Sequence, residues 1–409
     1  MSREHTHSAT RLLEFDGDVL LWGGRKVTDI AAEVGTTPFY AYDRARMSQR
    51  VKTLRAAMPE KLQIHYAMKA NPMPDVVNHM AGLVDGLDVA SAGELSVALQ
   101  SGTEPKDISF AGPGKQDAEL TAAIEAGITL NMESFGELRR IGQLASELNK
   151  QANVAVRVNP SFELKTAGMK MGGRPSQFGV DAELVPEMLA EIESLGLHFR
   201  GLHVFSGSQN LKVEAIVESL QKTVDLVIDL SRATTMKFEV VNLGGGLGIP
   251  YFPKEEALDL ADLSEAYGTA VETLTRELGD PELIIELGRF LVGEAGIYVC
   301  RVVDVKESRG TRFAVCDGGL HHHLAVTGNF GQVLRKNYPV VGVERRAEEP
   351  QLVTVVGPLC TPLDLLADRM LLDKLDEGSM VAVLQSGAYG RSASPHRFLS
   401  HPGCSEICL

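Results

Sequence analysis

The sequence contains no run of 18 apolar residues, so no membrane-spanning helix is expected. It has no CxxC pair, and its five cysteines (Cys300, Cys316, Cys360, Cys404 and Cys408) are odd in number. Both facts argue against a disulfide framework or a zinc site and for reduced thiols. Basic residues are scarce: 40 Lys plus Arg stand against 54 Asp plus Glu, for a formal charge of -14. A nucleic-acid surface needs a basic stripe, so no such partner is expected. The segment MSREHTHSATRLLEF has no apolar core of the kind a signal peptide carries, and the chain reads as cytoplasmic.

What is present is enough for a large core. With 409 residues, 44% of them hydrophobic, the chain is long enough for two or three folded units of ~150 residues each. Short apolar runs alternate with longer amphipathic segments. Eight strands are predicted at LQIHYAMKA, LVDGLDVA, DISFAGPG, ITLNMES, NVAVRVNP, FRGLHVFSG, FEVVNLGGG and ELIIELGR. Between them, segments such as DAELTAAIEAG and VEAIVESLQKTVDLVIDL repeat apolar residues at three and four, the spacing of one buried helix face. Parallel pairing follows, because a parallel crossover needs a dozen or more residues. Eight units predict a closed (β/α)8 barrel of the TIM type over 37–289, with an open doubly wound sheet as the alternative. Beyond it, EAGIYVCRVVDVKESRG, RFAVCDGGL, QLVTVVGPLC and SMVAVLQSGAYG alternate apolar and polar residues and lack long helices. They predict a C-terminal antiparallel β domain over 290–409, joined by a strand and short helix from residues 1–36.

The strand ends carry the chemistry. In order they present Lys69, Asp88, the AGPG of 111–114, Glu133, Arg157 with Asn159, His203, Gly244 to Gly246, and Glu286. Barrel active sites lie on that face. Lys69 stands between an apolar strand and Asn71-Pro72; desolvation in a barrel mouth favours the neutral, nucleophilic amine, for which a carbonyl cofactor is the natural partner. Gly244, Gly245 and Gly246 let backbone N–H groups converge on an anion, while Ile249 at the third position rules out a GxGxxG fingerprint. Glu286 ends a strongly apolar strand and needs a cationic partner; a pyridinium nitrogen satisfies it and stays protonated as an electron sink.

Taken together, YAMKAN, HVFSGS, the GGG loop, ELGR, GPLC and GAYG occur in the order seen in fold-type III pyridoxal-phosphate decarboxylases, and the chain resembles that group from about Thr37 to its end. The group includes the diaminopimelate, ornithine and arginine decarboxylases and has the alanine-racemase-like architecture of barrel plus β domain. The resemblance implies an amino-acid decarboxylase with pyridoxal 5'-phosphate on Lys69 as a Schiff base. It implies His203 stacked on the ring, Glu286 at the ring nitrogen, and Asp88 near the cofactor, with Glu94 closing the same motif. Arg157 falls near the ring hydroxyl. Ser206, Gly244 to Gly246, Gly288, Arg289 and Tyr389 fall at phosphate positions. It further implies a homodimer with shared sites, in which Cys360 reaches in from the partner subunit to reprotonate the substrate carbon. Arg289, Cys360, Thr361, Asp364 and Tyr389 then line the substrate.

The chain departs from the larger group in three places. Thr361 follows Cys360 where an acid is usual, Gln177 stands in SQFGV where a base is usual, and the tail reads SPHRFLSHP. With FAGPGK, RVNPSFELKTAGMKMGG and DGGLHHHLAVTGNFGQV, these features resemble the decarboxylases associated with the exosortase A system. They are also similar to the enzyme acting on glutamyl groups tethered to an acyl carrier protein. The substrate implied is an amino acid that is diaminopimelate-like, or else modified or carrier-tethered. His321 to His323 have no flanking acid, and contiguous strand residues alternate faces, so no metal is expected there. A racemase on the same fold is one competing reading, but Glu286 at the ring nitrogen disfavours it. A non-catalytic pyridoxal-phosphate-binding regulator is the other, and Lys69, Cys360 and Tyr389 together disfavour that.

Overall fold

The computed structural model describes residues 7–162, 169–170, 175–330, 332 and 335–409. Parts of RVNPSFELKTAGMKMGG and DGGLHHHLAVTGNFGQV therefore lie outside the described residues. Two compact units are present: 50–248 with 258–288, and 1–49 with 249–257 and 289–409.

The first unit is the barrel. Its strands are β1 (Leu62–Ala67), β2 (Gly86–Val89), β3 (Ile108–Phe110), β4 (Thr129–Met132), β5 (Asn153–Asn159), β6 (His198–Val204), β7 (Val240–Gly245) and β8 (Glu282–Leu287). All neighbours pair in parallel; β4 pairs with β5 and β8 with β1, so the sheet closes and has no edge. A short strand, Val180–Asp181, is added outside β5. Each strand but the last is followed in turn by one of α1 (Pro74–Ala81), α2 (Ala92–Gln100), α3 (Asp117–Ala126), α4 (Phe135–Leu148), α5 (Val185–Ser194), α6 (Val213–Arg232) and α7 (Leu260–Leu278).

The helices form where the apolar spacing placed them. In α6 the buried face is Ile216, Leu220, Val224, Val227 and Ile228, a three-and-four repeat. Two helix starts use the same device. Ser91 caps α2 and Ser134 caps α4, each accepting the N–H of the third helical residue (Glu94 or Glu137). Those glutamates reach back to the N–H groups of Ala90 and Glu133, and so fix the turn leaving the strand.

The second unit is mostly antiparallel, not wholly so. Its long strand Gly296–Ser308 pairs antiparallel with Phe39–Tyr42, Thr311–Cys316 and Met380–Val383. Two pairings are parallel: Thr311–Cys316 with Gln351–Val356, and Phe39–Tyr42 with Ser405–Cys408. Residues before 36 form three short strands (Phe15–Asp16, Val19–Trp22 and Arg25–Lys26) and the helix Val27–Val34. Leu20, Trp22, Val27 and Ile30 pack in one core with Ile297, Val343 and Ala382. No helix among the described residues is long and apolar enough to cross a membrane.

Candidate active site

The polar strand ends of the barrel gather at one rim. Lys69 stands one step past β1, in the 3-10 turn Met68–Ala70, rather than on the strand itself. Its neighbours Met68 and Ala70 are buried while Lys69 is exposed, so the chain alone does not supply the desolvation expected of it. Its Nζ lies 5.6 Å from the centroid of the Phe205 ring. Gly288, past the end of β8, lets this turn pack close: a Cβ there would come within 2.8 Å of Ala70 and 2.9 Å of the Ala67 carbonyl.

Glu286 of β8 is buried, with its Oε2 3.1 Å from His203 Nε2 and accepting from Asn242 Nδ2 at 3.3 Å. Burial pushes this carboxyl up, but the His203 charge beside it, with Lys69 and Arg157 farther off, outweighs burial and holds it well below the usual carboxylate range. His203 on β6 is also buried, and neither ring nitrogen makes a directed hydrogen bond. A buried imidazole so placed is costly without a further partner.

The glycine turn is built by close approach. Gly244 (φ 72°) and Gly246 (φ 94°) lie in the left-handed region. A Cβ on Gly245 would stand 1.8 Å from the Glu286 carbonyl oxygen. Asn242 Oδ1 accepts from the Gly244 N–H at 2.8 Å, and Ser206, Gly245 and Gly246 line one cavity.

Opposite strands hold a second polar group. Arg157 of β5 donates to Glu133 Oε1 at 2.9 Å and lies 4.9 Å from the Phe178 ring centroid. Glu133 also accepts from the N–H groups of Gly112 (2.6 Å) and Gly179 (3.0 Å), so it ties the AGPG and SQFGV segments together. Asp88 on β2 is buried; its Oδ1 accepts from Ser109 Oγ at 2.7 Å, and its Oδ2 has no partner. Beneath the rim, Lys115 Nζ donates to Glu137 at 2.6 Å and to the carbonyls of Gly112 and Asn131, each at 2.8 Å.

The remaining predicted residues belong to the second unit. Arg289 Nη1 donates to the Tyr251 hydroxyl at 2.9 Å, and its guanidinium lies 4.6 Å over the Tyr389 ring. Cys360 is exposed and Thr361 half-buried. Asp364 is buried and spends both oxygens on the backbone, Oδ1 on the Leu320 N–H (2.5 Å) and Oδ2 on the Leu359 N–H (2.8 Å). It fastens the GPLC turn to the DGGL turn. His321 to His323 are buried; His322 Nε2 sits 2.8 Å from the Pro402 carbonyl and His323 Nε2 3.0 Å from Ser386 Oγ. Sequence reasoning did not assign Phe205, Asn242, Phe178 or Tyr251. The first three stand inside motifs it had read (HVFSGS, NLGGG, SQFGV), whereas Tyr251 carries no local signal.

The barrel residues fit pyridoxal phosphate on their own geometry. A buried imidazole without a directed hydrogen bond offers a ring face, a buried acid held ionised beside it offers a negative charge, and a turn that admits no side chain presents backbone to an anion. A lysine in reach of an aldehyde completes the requirements of a pyridoxal-phosphate-dependent amino-acid decarboxylase. The family model for the pyridoxal-dependent decarboxylase, pyridoxal binding domain, matches residues 44–293, and the chain belongs to this family, the fold-type III diaminopimelate and ornithine decarboxylases. It is 39% identical over 379 residues to the L-glutamyl-[BtrI acyl-carrier protein] decarboxylase of Niallia circulans, covering 91% of this chain and 88% of that one. It is 31% identical over 376 residues to the 2-[(L-alanin-3-ylcarbamoyl)methyl]-2-hydroxybutanedioate decarboxylase of Staphylococcus aureus, covering 90% and 93%. The fold is similar to that of diaminopimelate decarboxylase from M. jannaschii in co-complex with L-lysine, with a TM-score of 0.89, 28% identity, and 98% and 93% of the two chains covered.

Proposed function

We propose that this decarboxylase acts on an amino acid whose side chain is modified or tethered to a carrier, not on free diaminopimelate. The observation that carries this reading is Thr361, a neutral residue directly after Cys360 where the larger group has an acid for a distal ammonium. Gln177 in place of a base and the SPHRFLSHP tail support it, as does the resemblance to the exosortase A-associated decarboxylases. Both relatives quoted above are named for substrates other than free diaminopimelate.

The chain divides its labour by residue. The barrel, 50–248 with 258–288, binds the cofactor. Lys69 would hold the cofactor through its aldehyde, Glu286 would pair with its ring nitrogen, and His203 would pack on the face of its ring. Arg157 and Asp88 hold the ring from the other strands, and Ser206, Gly244 to Gly246, Gly288, Arg289 and Tyr389 hold its phosphate. When bound, pyridoxal phosphate supplies the electron sink for the pair left by the departing carboxylate. Cys360, contributed by the partner subunit of a homodimer, returns a proton to the α carbon, with Thr361 and Asp364 beside the substrate. None of the five cysteines is in a disulfide, which supports a reducing, cytoplasmic setting.

The test is mass spectrometry of products from the purified holoenzyme given free and carrier-bound amino acids. Carbon dioxide release from free diaminopimelate alone overturns the substrate reading. A Cys360→Ala variant checks the acid: turnover persists but the yield of amine falls relative to misprotonated product, whereas unchanged partition removes Cys360 from that role.

A further inference from the structure

A buried histidine that the chemistry above does not use lies inside the barrel. His65 on β1 is paired in register with Gly86 on β2 and with Glu286 on β8. Its ring occupies the space of a missing side chain: a Cβ on Gly86 would stand 2.5 Å from His65 Cε1 and Nε2. His65 Nδ1 lies 3.4 Å from Asp88 Oδ1, and Nε2 has no partner. Asp88 Oδ1 also accepts from Ser109 Oγ, which in turn accepts from Asn131 Nδ2 at 3.1 Å. One oxygen of Asp88 is thus tethered from below by two groups, and the other is buried and free.

We propose that His65 is a positioning residue that acts through Asp88, gripping Oδ1 so that Oδ2 alone is presented to a bound cofactor. The proposal rests on the reading that Asp88 serves the cofactor site. Burial works against a charge on His65, but Asp88, with Asp85 before β2 and Asp107 before β3, overrides it and raises the imidazole above its ordinary value. Glu286 stands in register on β8, and Lys106, Arg200 and Glu282 border the same cavity as His65. His65 therefore keeps its proton to higher pH than an ordinary histidine, and Gly86 is what makes room for its ring.

The test has two arms. In the cofactor-free protein, proton NMR of the His65 ring, assigned by its loss in His65→Phe, is expected to titrate above 6.5 and to titrate lower in Asp88→Asn. In the holoenzyme, His65→Phe is expected to lower kcat about tenfold with KM within about twofold, a modest share of what a positioned group contributes. His65→Asn, which keeps a donor where Nδ1 stood, recovers most of the loss. Wild-type kcat is expected to decline as pH rises through the His65 titration. An unshifted His65 signal in Asp88→Asn, or wild-type kcat in both His65 variants, overturns the proposal. If Asp88→Asn itself keeps wild-type kcat while still shifting His65, the pairing stands but Asp88 has no place in the site, and both readings go together. Should His65→Phe fail to fold, His65→Asn decides by the loss or retention of that pH decline.

Discussion

His203 Nε2 lies 3.1 Å from Glu286 Oε2, so the acid proposed to meet the ring nitrogen is already paired with the imidazole proposed for the ring face. The pairing explains how a buried carboxylate stays ionised at the end of an apolar strand. Glu286→Gln keeps the shape and removes the charge. It is expected to lower kcat by ~10²–10³, the scale set by losing one group that stabilises developing charge. Retention of kcat within about fivefold, read from carbon dioxide release, would refute this role.

Lys69 is exposed, so truncating it removes no part of the core. Lys69→Ala is expected to fold normally and to lose covalent cofactor. After borohydride treatment, peptide mass spectrometry should find the pyridoxyl mass on residue 69 of the parent protein and on no peptide of the variant. A labelled peptide elsewhere in the parent moves the Schiff base to another lysine.

The buried pair of Lys115 and Glu137 braces the turn from which Glu133 projects. Burial pushes the Glu137 carboxyl up and Lys115 pulls it back, so removing the lysine leaves a costly uncompensated acid. Lys115→Met is expected to destabilise the barrel by about 3–5 kcal/mol in urea denaturation. The double variant Lys115→Met with Glu137→Leu should recover much of that; a double variant no better than the single one argues that the hydrogen bonds to Gly112 and Asn131 matter more than the charge.

Acid is expected to weaken the second unit through its histidines. Burial pushes His323 down to about 3, and burial with neighbouring imidazoles pushes His321 to about 3 and His322 to about 4. The unfolded chain takes up these protons near 6.5, the folded chain only near 3–4. Stability is therefore full above about pH 6.5 and is lost as pH falls toward that lower range. His323 alone contributes ~1.4 kcal/mol per pH unit in that window. Melting curves at pH 7, 5.5 and 4.5 should show the decline, and His323→Gln should flatten it; an equal slope in that variant assigns the effect to other groups.

All eight barrel strands were legible because each joins a run of apolar residues to a polar end, and that pattern is local. Lys69 differs by one step, since Gly288 must close on the turn before a 3-10 geometry is favoured, and that contact spans 218 positions of chain. Asp364 illustrates the same limit. Read as a motif it is an acid near Cys360; folded, its oxygens are consumed by N–H groups of residues 320 and 359. Glu133 was visible as a strand end, but its grip on Gly112, Arg157 and Gly179 joins three separate loops that no spacing rule connects. The parallel pairing of Ser405–Cys408 beside Phe39–Tyr42 was hidden for that reason too.

That pairing has a consequence for synthesis. Phe39–Tyr42 sits between Gly296–Ser308 and Ser405–Cys408, so this strand leaves the ribosome long before either of its neighbours is made. Until then its apolar residues need another cover, and a chain halted short of residue 405 leaves a bare strand edge open to aggregation.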